Sequence, residues 1–217
     1  MPRREDWPRI AGSTPNPCYS TDPGLKIVAV CKIVDEDRSS IYELKKQQLQ
    51  KKRGRNGVNE RWLFHGSTLP GIVGIACNGA VLRPRNAEQF GVGMYFSPSG
   101  IANTTGAMMM ALGAQYASPD QAGVQHMLLC RVLCGRQEKL KDGGAKGSSQ
   151  FEPSSIDFDS GIDDPVRPHR VLMWGASLST HVLPEFAVSF RILAEGEINA
   201  KDGVDQSLTS KEKDIWD

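Results

Sequence analysis

The sequence predicts an α+β domain built on mainly antiparallel sheet. Segments rich in β-branched residues alternate with amphipathic ones, giving at least six strands and three helices without a regular strand–helix–strand repeat. The 217 residues, 39% apolar and 24% charged, suit one globular domain of ordinary size. We expect that domain over residues 25–194, a loosely ordered lead-in over 1–24 and a polar tail over 195–217.

The first predicted elements are a strand and a surface helix. Residues 25–34 are dense in β-branched side chains and predict the strand. A thin apolar stripe over 41–50 predicts the helix, with Ser39 or Ser40 as its N-cap. The basic run at 51–55 is typical of a solvated helix end, or alternatively of a nuclear import signal or an anion-binding patch.

The remaining elements are predicted from short apolar runs that are bounded by Gly and Pro. Strands are predicted at 80–83, 91–96, 125–135, 170–174 and 186–193, and helices at 69–77 and within 98–118. Residues 139–155 predict an exposed, mobile loop, and 157–164 an acidic turn. The aspartates of that turn favour backbone turn chemistry over two alternatives, metal binding and acid–base hydrolysis by Asp157, Asp159 and Asp163.

Charge and cysteine content argue against several classes of function. The net charge of +1 gives no reason to expect direct nucleic-acid binding. No apolar run approaches a membrane span and no secretory signal is apparent, so we expect no membrane association. The five cysteines follow no zinc or disulfide spacing, which predicts free thiols in a reducing compartment and no metal site.

Two motifs carry the functional signal. The first, Trp-Leu-Phe-His-Gly-Ser at 62–67, is a short apolar strand that ends in a histidine, a glycine and a serine. The glycine lets the backbone approach a ligand closely, because it has no Cβ. The second, Gly-Val-Gly-Met-Tyr-Phe at 91–96, runs from a glycine pair into an apolar strand with a tyrosine. Alone, each motif is typical of a hairpin turn or a core tyrosine, but together they indicate a ligand site.

In this order the motifs resemble the catalytic domain of the poly(ADP-ribose) polymerase family of ADP-ribosyltransferases over about residues 26–194. The resemblance also rests on Asn-Glu at 59–60, Tyr116 and Arg-Val-Leu-Cys-Gly at 131–135. The stretch from 158 to 186 is most similar to the plant radical-induced-cell-death (similar-to-RCD-one) branch. The resemblance implies the ADP-ribosyltransferase fold, with two packed, mainly antiparallel sheets and flanking helices.

The resemblance implies NAD as substrate and nicotinamide-like inhibitors as ligands. His65 would bind the adenosine ribose, and the Gly66 backbone, with Ser67 nearby, would bind the nicotinamide carboxamide. Tyr95 and Tyr116 would sandwich the nicotinamide ring. Either of two loop arginines would meet the pyrophosphate: Arg83 or Arg85.

The resemblance also assigns the catalytic positions His65, Tyr95 and a third that falls on Arg170. Polymerising members carry a glutamate at this third position, so we expect no polymerisation. Glu185 is expected not to be catalytic. A second departure is Gly113, which replaces a serine that often precedes the downstream tyrosine.

The resemblance therefore implies a glycosyltransferase that moves single ADP-ribose units from NAD to a protein side chain. The alternative is an inactive module that binds NAD or protein partners in stress or transcription regulation. The expected partners are protein acceptors or transcription-factor-like proteins. The expected location is nuclear or nucleo-cytoplasmic.

Overall fold

The computed structural model describes residues 25–79, 89–98 and 117–192. These ranges contain eight strands: β1 (Leu25–Lys32), β2 (Glu60–Ser67), β3 (Gly93–Pro98), β4 (Gln125–Leu133), β5 (Gln137–Lys139), β6 (Ser160–Ile162), β7 (Val171–Trp174) and β8 (Val182–Ile192). They also contain three α-helices: α1 (Glu36–Arg53), α2 (Leu69–Asn78) and α3 (Leu178–His181). The predicted α+β class is confirmed. The predicted strand at 80–83 and nearly all of the helix within 98–118 lie outside the described residues.

The strands form one sheet in the order β1-β8-β4-β2-β3-β7-β6-β5. All neighbours are antiparallel except β5 and β6. The expectation of two packed sheets is therefore wrong in that respect. The link between the two halves is short, because β2 and β3 pair only through Leu63↔Pro98 and Phe64↔Ser97. We call this short junction the seam.

Both faces of the β4 region are covered by helices. On one face, Ile72 of α2 and Leu178 of α3 join the core that contains Leu128 and Val132. On the other face, α1 packs the apolar side chains Tyr42 and Leu49 against strand residues of β4 and β8. The predicted central strand at 125–135 is confirmed, since β4 alternates contacts with both faces and is buried along most of its length.

Helix α1 begins at Glu36 and not at the predicted residue 41. Asp35 is its N-cap, and the Asp35 Oδ1 atom accepts a hydrogen bond from the Arg38 amide at 2.8 Å. Two acidic residues in the first turn suit the positive end of the helix dipole. The carboxylate of Asp35 thus displaces Ser39 and Ser40 as the cap.

Strands β5 and β6 were not predicted. Each has three residues, too few for a periodic pattern. Strand β6 lies inside the segment predicted as an acidic turn, and its Ser160 hydroxyl donates to the Cys134 carbonyl at 2.7 Å. A Cβ on Gly161 would overlap Leu140, so glycine at this position allows close packing. No helix in the described part of the chain is long and apolar enough to cross a membrane.

Candidate functional site

The two sequence motifs meet where β2 and β3 separate at the seam. If the β2–β3 ladder continued past Phe64, the backbone of Gly66 would face Tyr95. Instead, the Tyr95 carbonyl oxygen lies 2.8 Å from the His65 Nδ1 atom. Within the described residues, Gly66 therefore pairs with Met127 of β4 on one side and has no ladder partner in β3 on the other.

His65 is held as a neutral imidazole. A carbonyl oxygen can only accept, so the Nδ1 atom carries the proton and the Nε2 atom is left as an acceptor. Burial lowers the pKa of His65, while the hydrogen bond with Tyr95 opposes this shift. The ring also packs against Phe96, with 5.7 Å between ring centroids. This geometry suits recognition of a hydroxyl donor such as that of a ribose.

Tyr95 is tied to the turn that precedes its own strand. Its hydroxyl donates to the Gly91 carbonyl at 2.6 Å and accepts from the Phe90 amide at 3.1 Å. Gly91 has φ of 128° and packs against the Gln150 carbonyl, and a Cβ on Gly93 would overlap the Met173 carbonyl. The glycines of the second motif therefore allow close packing of backbones, and the ring of Tyr95 is oriented by that packing.

Arg170 lies directly before β7, one residue outside the structure's strand although the predicted strand, 170–174, included it. Its guanidinium lies over the Phe90 ring, with 5.4 Å from Cζ to the ring centroid. Its amide donates to Asp163 Oδ1 at 3.0 Å. Phe90 was not predicted as a site residue, yet it contacts both Tyr95 and Arg170. Its place directly before the glycine pair is the only sequence signal that could have singled it out.

The structure thus connects His65, Tyr95, Phe90 and Arg170, beside the open edge of Gly66. We call these five residues the cleft. Ser67 is the last residue of β2, and its hydroxyl lies beside the first turn of α2, where a Cβ on Gly71 would overlap it. The predicted contacts of Arg83, Arg85, Gly113 and Tyr116 lie outside the described residues.

The acidic turn has a structural role. Asp159 forms an ion pair with Arg53 at 2.5 Å and accepts from the Arg136 amide at 2.9 Å. Asp163 Oδ1 accepts hydrogen bonds from three amides, those of Asp164, His169 and Arg170. Among the described residues, no group of three or more His, Cys, Asp or Glu side chains could hold a metal ion. The carboxylates of Asp159 and Asp163 are therefore committed to backbone and ion-pair contacts, which argues against hydrolysis by this segment.

Glu185 lies away from the cleft. It belongs to β8, which is separated from β2 by β4, and its carboxylate accepts from Arg131 Nε at 2.6 Å. Arg131 also contacts Glu43 and Glu60, at 3.0 and 3.5 Å, and lies over the Tyr42 ring at 5.0 Å. We call these five residues the Arg131 cluster.

Comparison with known proteins agrees with these motifs. The family described as "Poly(ADP-ribose) polymerase catalytic domain" matches residues 4–153. The chain belongs to this family. It is 29% identical over 167 residues to "Probable inactive poly [ADP-ribose] polymerase SRO1" of Arabidopsis thaliana, covering 74% of this chain and 26% of that protein. It is 37% identical over 107 residues to "Probable inactive poly [ADP-ribose] polymerase SRO5" of the same plant, covering 49% of this chain and 31% of that protein.

The fold agrees with a solved member of the same group. The crystal structure of the PARP domain of Arabidopsis RADICAL-INDUCED CELL DEATH1 matches with a TM-score of 0.67 and 23% identity, covering 81% of this chain and 92% of that chain. The predicted similarity to the plant radical-induced-cell-death branch is thereby confirmed. The chain spans less than a third of the length of SRO1 or SRO5.

The PARP family normally binds NAD, and the cleft fits that ligand in part. The backbone edge of Gly66 that has no ladder partner among the described residues suits a carboxamide, the ring of Tyr95 suits stacking, and His65 Nε2 can accept from a ribose hydroxyl. At position 170, where the resemblance implies a catalytic carboxylate, this chain has a guanidinium over the Phe90 ring, and a guanidinium would not stabilise the positive charge of a transition state.

Proposed function

We propose that this chain is a PARP-like module that does not transfer ADP-ribose and acts by binding. This corrects the expectation of mono-ADP-ribosyl transfer. The relatives SRO1 and SRO5 are both named probable inactive poly [ADP-ribose] polymerases, which favours the alternative of an inactive module. Because the chain spans only part of those relatives, the proposal concerns the domain and not a whole protein.

The observation that carries the proposal is the guanidinium of Arg170. Loss of a nicotinamide leaving group develops positive charge on the ribose. A guanidinium about 5 Å from that charge, at an effective dielectric of roughly 20, would raise the energy of the transition state by about 3 kcal/mol. That is about two orders of magnitude in rate. His65 and Tyr95 can still position a ligand, but neither supplies a negative charge at this point.

We also propose that the cleft binds the carboxamide of nicotinamide-type compounds, including NAD. The support is geometric: Gly66 presents a backbone edge beyond the seam, and the hydroxyl contacts of Tyr95 hold its ring in one orientation. Calorimetric titration with a neutral carboxamide inhibitor should show binding that is weakened in Tyr95→Ala, which removes the stacking ring. Absence of binding by the wild type at millimolar inhibitor would contradict this part.

Turnover is tested by incubating the chain with NAD labelled in the nicotinamide ring. We expect no nicotinamide release above the protein-free rate and no modified protein by mass spectrometry. An active mono-transferring PARP domain serves as the positive control. Nicotinamide release by the wild type that is abolished in Tyr95→Ala would show that the module is an enzyme after all.

Protein binding is a second candidate role, favoured by the exposed edge of the sheet. Strand β1 is an edge strand of the described sheet, and its Val28 and Val30 side chains are 52% and 46% exposed. Lys26 and Lys32 flank them, so an extended acidic and apolar peptide would be complementary. Val30→Lys should abolish capture of such a peptide, whereas Val166→Lys, at a more exposed site (83%) far along the chain, should not.

The proposed location is nuclear or nucleo-cytoplasmic. The basic residues that end α1 support it: Lys51 and Lys52 are exposed, whereas Arg53 is tied to Asp159. Imaging of a fluorescent fusion should show nuclear enrichment that falls in the Lys51→Gln, Lys52→Gln double variant. Unchanged enrichment would mean that this basic segment is only a solvated helix end.

A further inference from the structure

We propose that Ser154 is a phosphorylation site, and that a phosphate on it loosens the turn that orients Tyr95. The phosphoryl donor is a nucleoside triphosphate, and the catalyst is a protein kinase that recognises acidic residues after the serine. The Ser154 Oγ atom bonds to the terminal phosphorus, its proton goes to a base of the kinase, and the nucleoside diphosphate leaves. This control of the cleft goes beyond the proposed function and does not require a bound ligand.

Ser154 lies in the loop that joins β5 to β6, where a kinase can reach it. The residue is exposed, and the segment around it, residues 149–157, belongs to no helix or strand. An exposed loop can be rearranged in the active site of a partner without loss of core packing. The position of Ser154 therefore suits modification of its hydroxyl.

The charge pattern after Ser154 suits a kinase with a basic substrate groove. Asp157 and Asp159 follow it at three and five residues. Asp157 is held through its backbone, and its side chain is exposed, so its carboxylate is available to a basic groove. Ser149 is the nearest competitor, and within six residues it is followed by a single acidic residue, Glu152.

The amide of Ser154 ties the loop to the sheet. It donates to Glu138 Oε2 at 2.9 Å, and the side-chain amide of Gln150 donates to the same oxygen at 3.4 Å. Glu138 is the central residue of β5, so one carboxylate on the sheet holds both ends of the segment 150–154. A phosphate on Ser154 would carry a charge of about −2, roughly 6 Å from this carboxylate. Repulsion between the two would weaken both contacts.

The same loop segment supports the turn before β3. The Gln150 carbonyl accepts from the Val92 amide at 2.7 Å and packs against Gly91. The Gly91 carbonyl in turn accepts from the Tyr95 hydroxyl at 2.6 Å. Contacts therefore run from the Glu138 carboxylate through Gln150 to the turn that orients the ring of Tyr95. Release of Gln150 from Glu138 would loosen that turn.

The site is tested by incubating the full chain with ATP and a purified serine kinase of the acid-directed class, followed by mass spectrometry of peptide fragments. We expect phosphate on Ser154. Asp157→Asn should lower the initial rate by about tenfold, because a charged contact with the kinase is lost. Glu152→Gln removes an exposed charge before the serine and should leave the rate nearly unchanged.

Two results would overturn the assignment of the site. One is phosphate on Ser149 and not on Ser154. The other is an unmodified chain under conditions in which the kinase phosphorylates a control peptide that has aspartate three residues after its serine. Thermal unfolding shows that each variant is folded before its rate is compared.

The effect on the cleft is measured by amide hydrogen exchange of the unmodified and the phosphorylated chain. Exchange at the Val92 amide should become about tenfold faster on phosphorylation, because its acceptor is released. Glu138→Gln is the matched variant, since glutamine still accepts from the Ser154 amide but does not repel a phosphate. Phosphorylation should then accelerate Val92 exchange much less. Unchanged exchange in the wild type, or equal acceleration in Glu138→Gln, would overturn the coupling.

These outcomes are separate from those of the proposed function. If the cleft binds a carboxamide, phosphorylation should lower the affinity by about threefold, because the ring of Tyr95 is held less firmly. A chain that is phosphorylated and loosened, but binds no carboxamide in either state, contradicts the ligand part of the proposed function alone. A chain that binds a carboxamide but is not phosphorylated on Ser154 contradicts the inference alone.

Discussion

Two arginines of this sheet each lie over an aromatic ring, Arg131 over Tyr42 and Arg170 over Phe90, at 5.0 and 5.4 Å. Arg131 belongs to β4, at the middle of the sheet, and three carboxylates surround it. Arg170 precedes β7 across the seam, where the family resemblance places a catalytic carboxylate. The same type of contact therefore occurs in two settings, among three carboxylates in the Arg131 cluster and beside the motif residues in the cleft.

The two regions also differ in how many residue pairs join the strands around them. The Arg131 cluster joins α1 to β2, β4 and β8, and β4 pairs with each of its two neighbours over eight residue pairs. The cleft lies where β2 and β3 share two residue pairs. A ligand that hydrogen-bonds to strand backbone needs unpaired amide and carbonyl groups, so the short ladder is compatible with such a site and the long ladders are not. Substitutions in the first region should change unfolding, and substitutions in the second should change binding.

The largest effect is expected from Arg131→Met, which leaves Glu43, Glu60 and Glu185 without their shared cation. Removing one partner of a buried ion pair costs about 3 to 5 kcal/mol, and the partial exposure of this cluster reduces the expected loss of unfolding free energy to about 2 kcal/mol. Urea denaturation measures it. Binding of a neutral carboxamide should not change, and a parallel loss of affinity would show that the two regions are coupled.

A comparable effect, dependent on pH, is expected at His181, which lies under α1. Burial lowers the pKa of His181 to about 4, with smaller contributions from the nearby cations Lys45 and Arg53, while Asp159 opposes the shift. The unfolded chain binds a proton near pH 6.5. The contribution of His181 to stability is therefore present above about pH 6.5 and is lost as the pH falls toward 4.

Between pH 7 and 5, this linkage should remove about 2 kcal/mol of unfolding free energy. His181→Gln should flatten that part of the pH dependence. His169→Gln is the matched control, because the side chain of His169 is 57% exposed. His65 contributes with the same sign, so the variant should retain some slope. An unaltered slope in His181→Gln would show that His181 titrates normally in the folded chain.

The long elements and the motif positions could be predicted from the sequence because their signals are local. Apolar runs defined β4 and β7, with the start of β7 predicted one residue early, at Arg170. The catalytic position assigned to Arg170 came from the family resemblance and not from a local signal. The start of α1 was missed, since Asp35 lies outside the apolar stripe and caps through its side chain. Strands β5 and β6 were missed because pairing with distant neighbours, and not their own three residues, makes them strands.

The cleft could be predicted only in part, for a similar reason. His65, Gly66 and Tyr95 lie in recognisable motifs, and the structure brings them together at the seam. The contact of Phe90 with Arg170 joins residues that are eighty positions apart in the sequence. Whether β2 and β3 form one sheet or two depends on a two-pair ladder, which no periodicity reveals.

A smaller effect is expected from Tyr95→Phe, which tests the cleft itself. The variant keeps the ring but leaves the Phe90 amide and the Gly91 carbonyl without the hydroxyl that bridges them. The unfolding free energy should fall by about 1 kcal/mol. Affinity for a neutral carboxamide should fall less than in Tyr95→Ala, since stacking remains. Equal losses in both variants would mean that the hydroxyl, and not the ring, holds the ligand.

The smallest effect is expected from Glu185→Gln, in the one carboxylate of this region that resembles a catalytic residue by position. Its oxygen lies 2.6 Å from Arg131 Nε, and its strand is two places from β2, on the order of 10 Å across the sheet. A glutamine can still accept from Arg131, so only the charge is lost, at about 0.5 kcal/mol of unfolding free energy for a partly exposed pair. Dinucleotide binding should be unchanged. A change in dinucleotide affinity in Glu185→Gln would show that the charge of the Arg131 cluster acts on the cleft, and the division of roles between the two regions would be wrong.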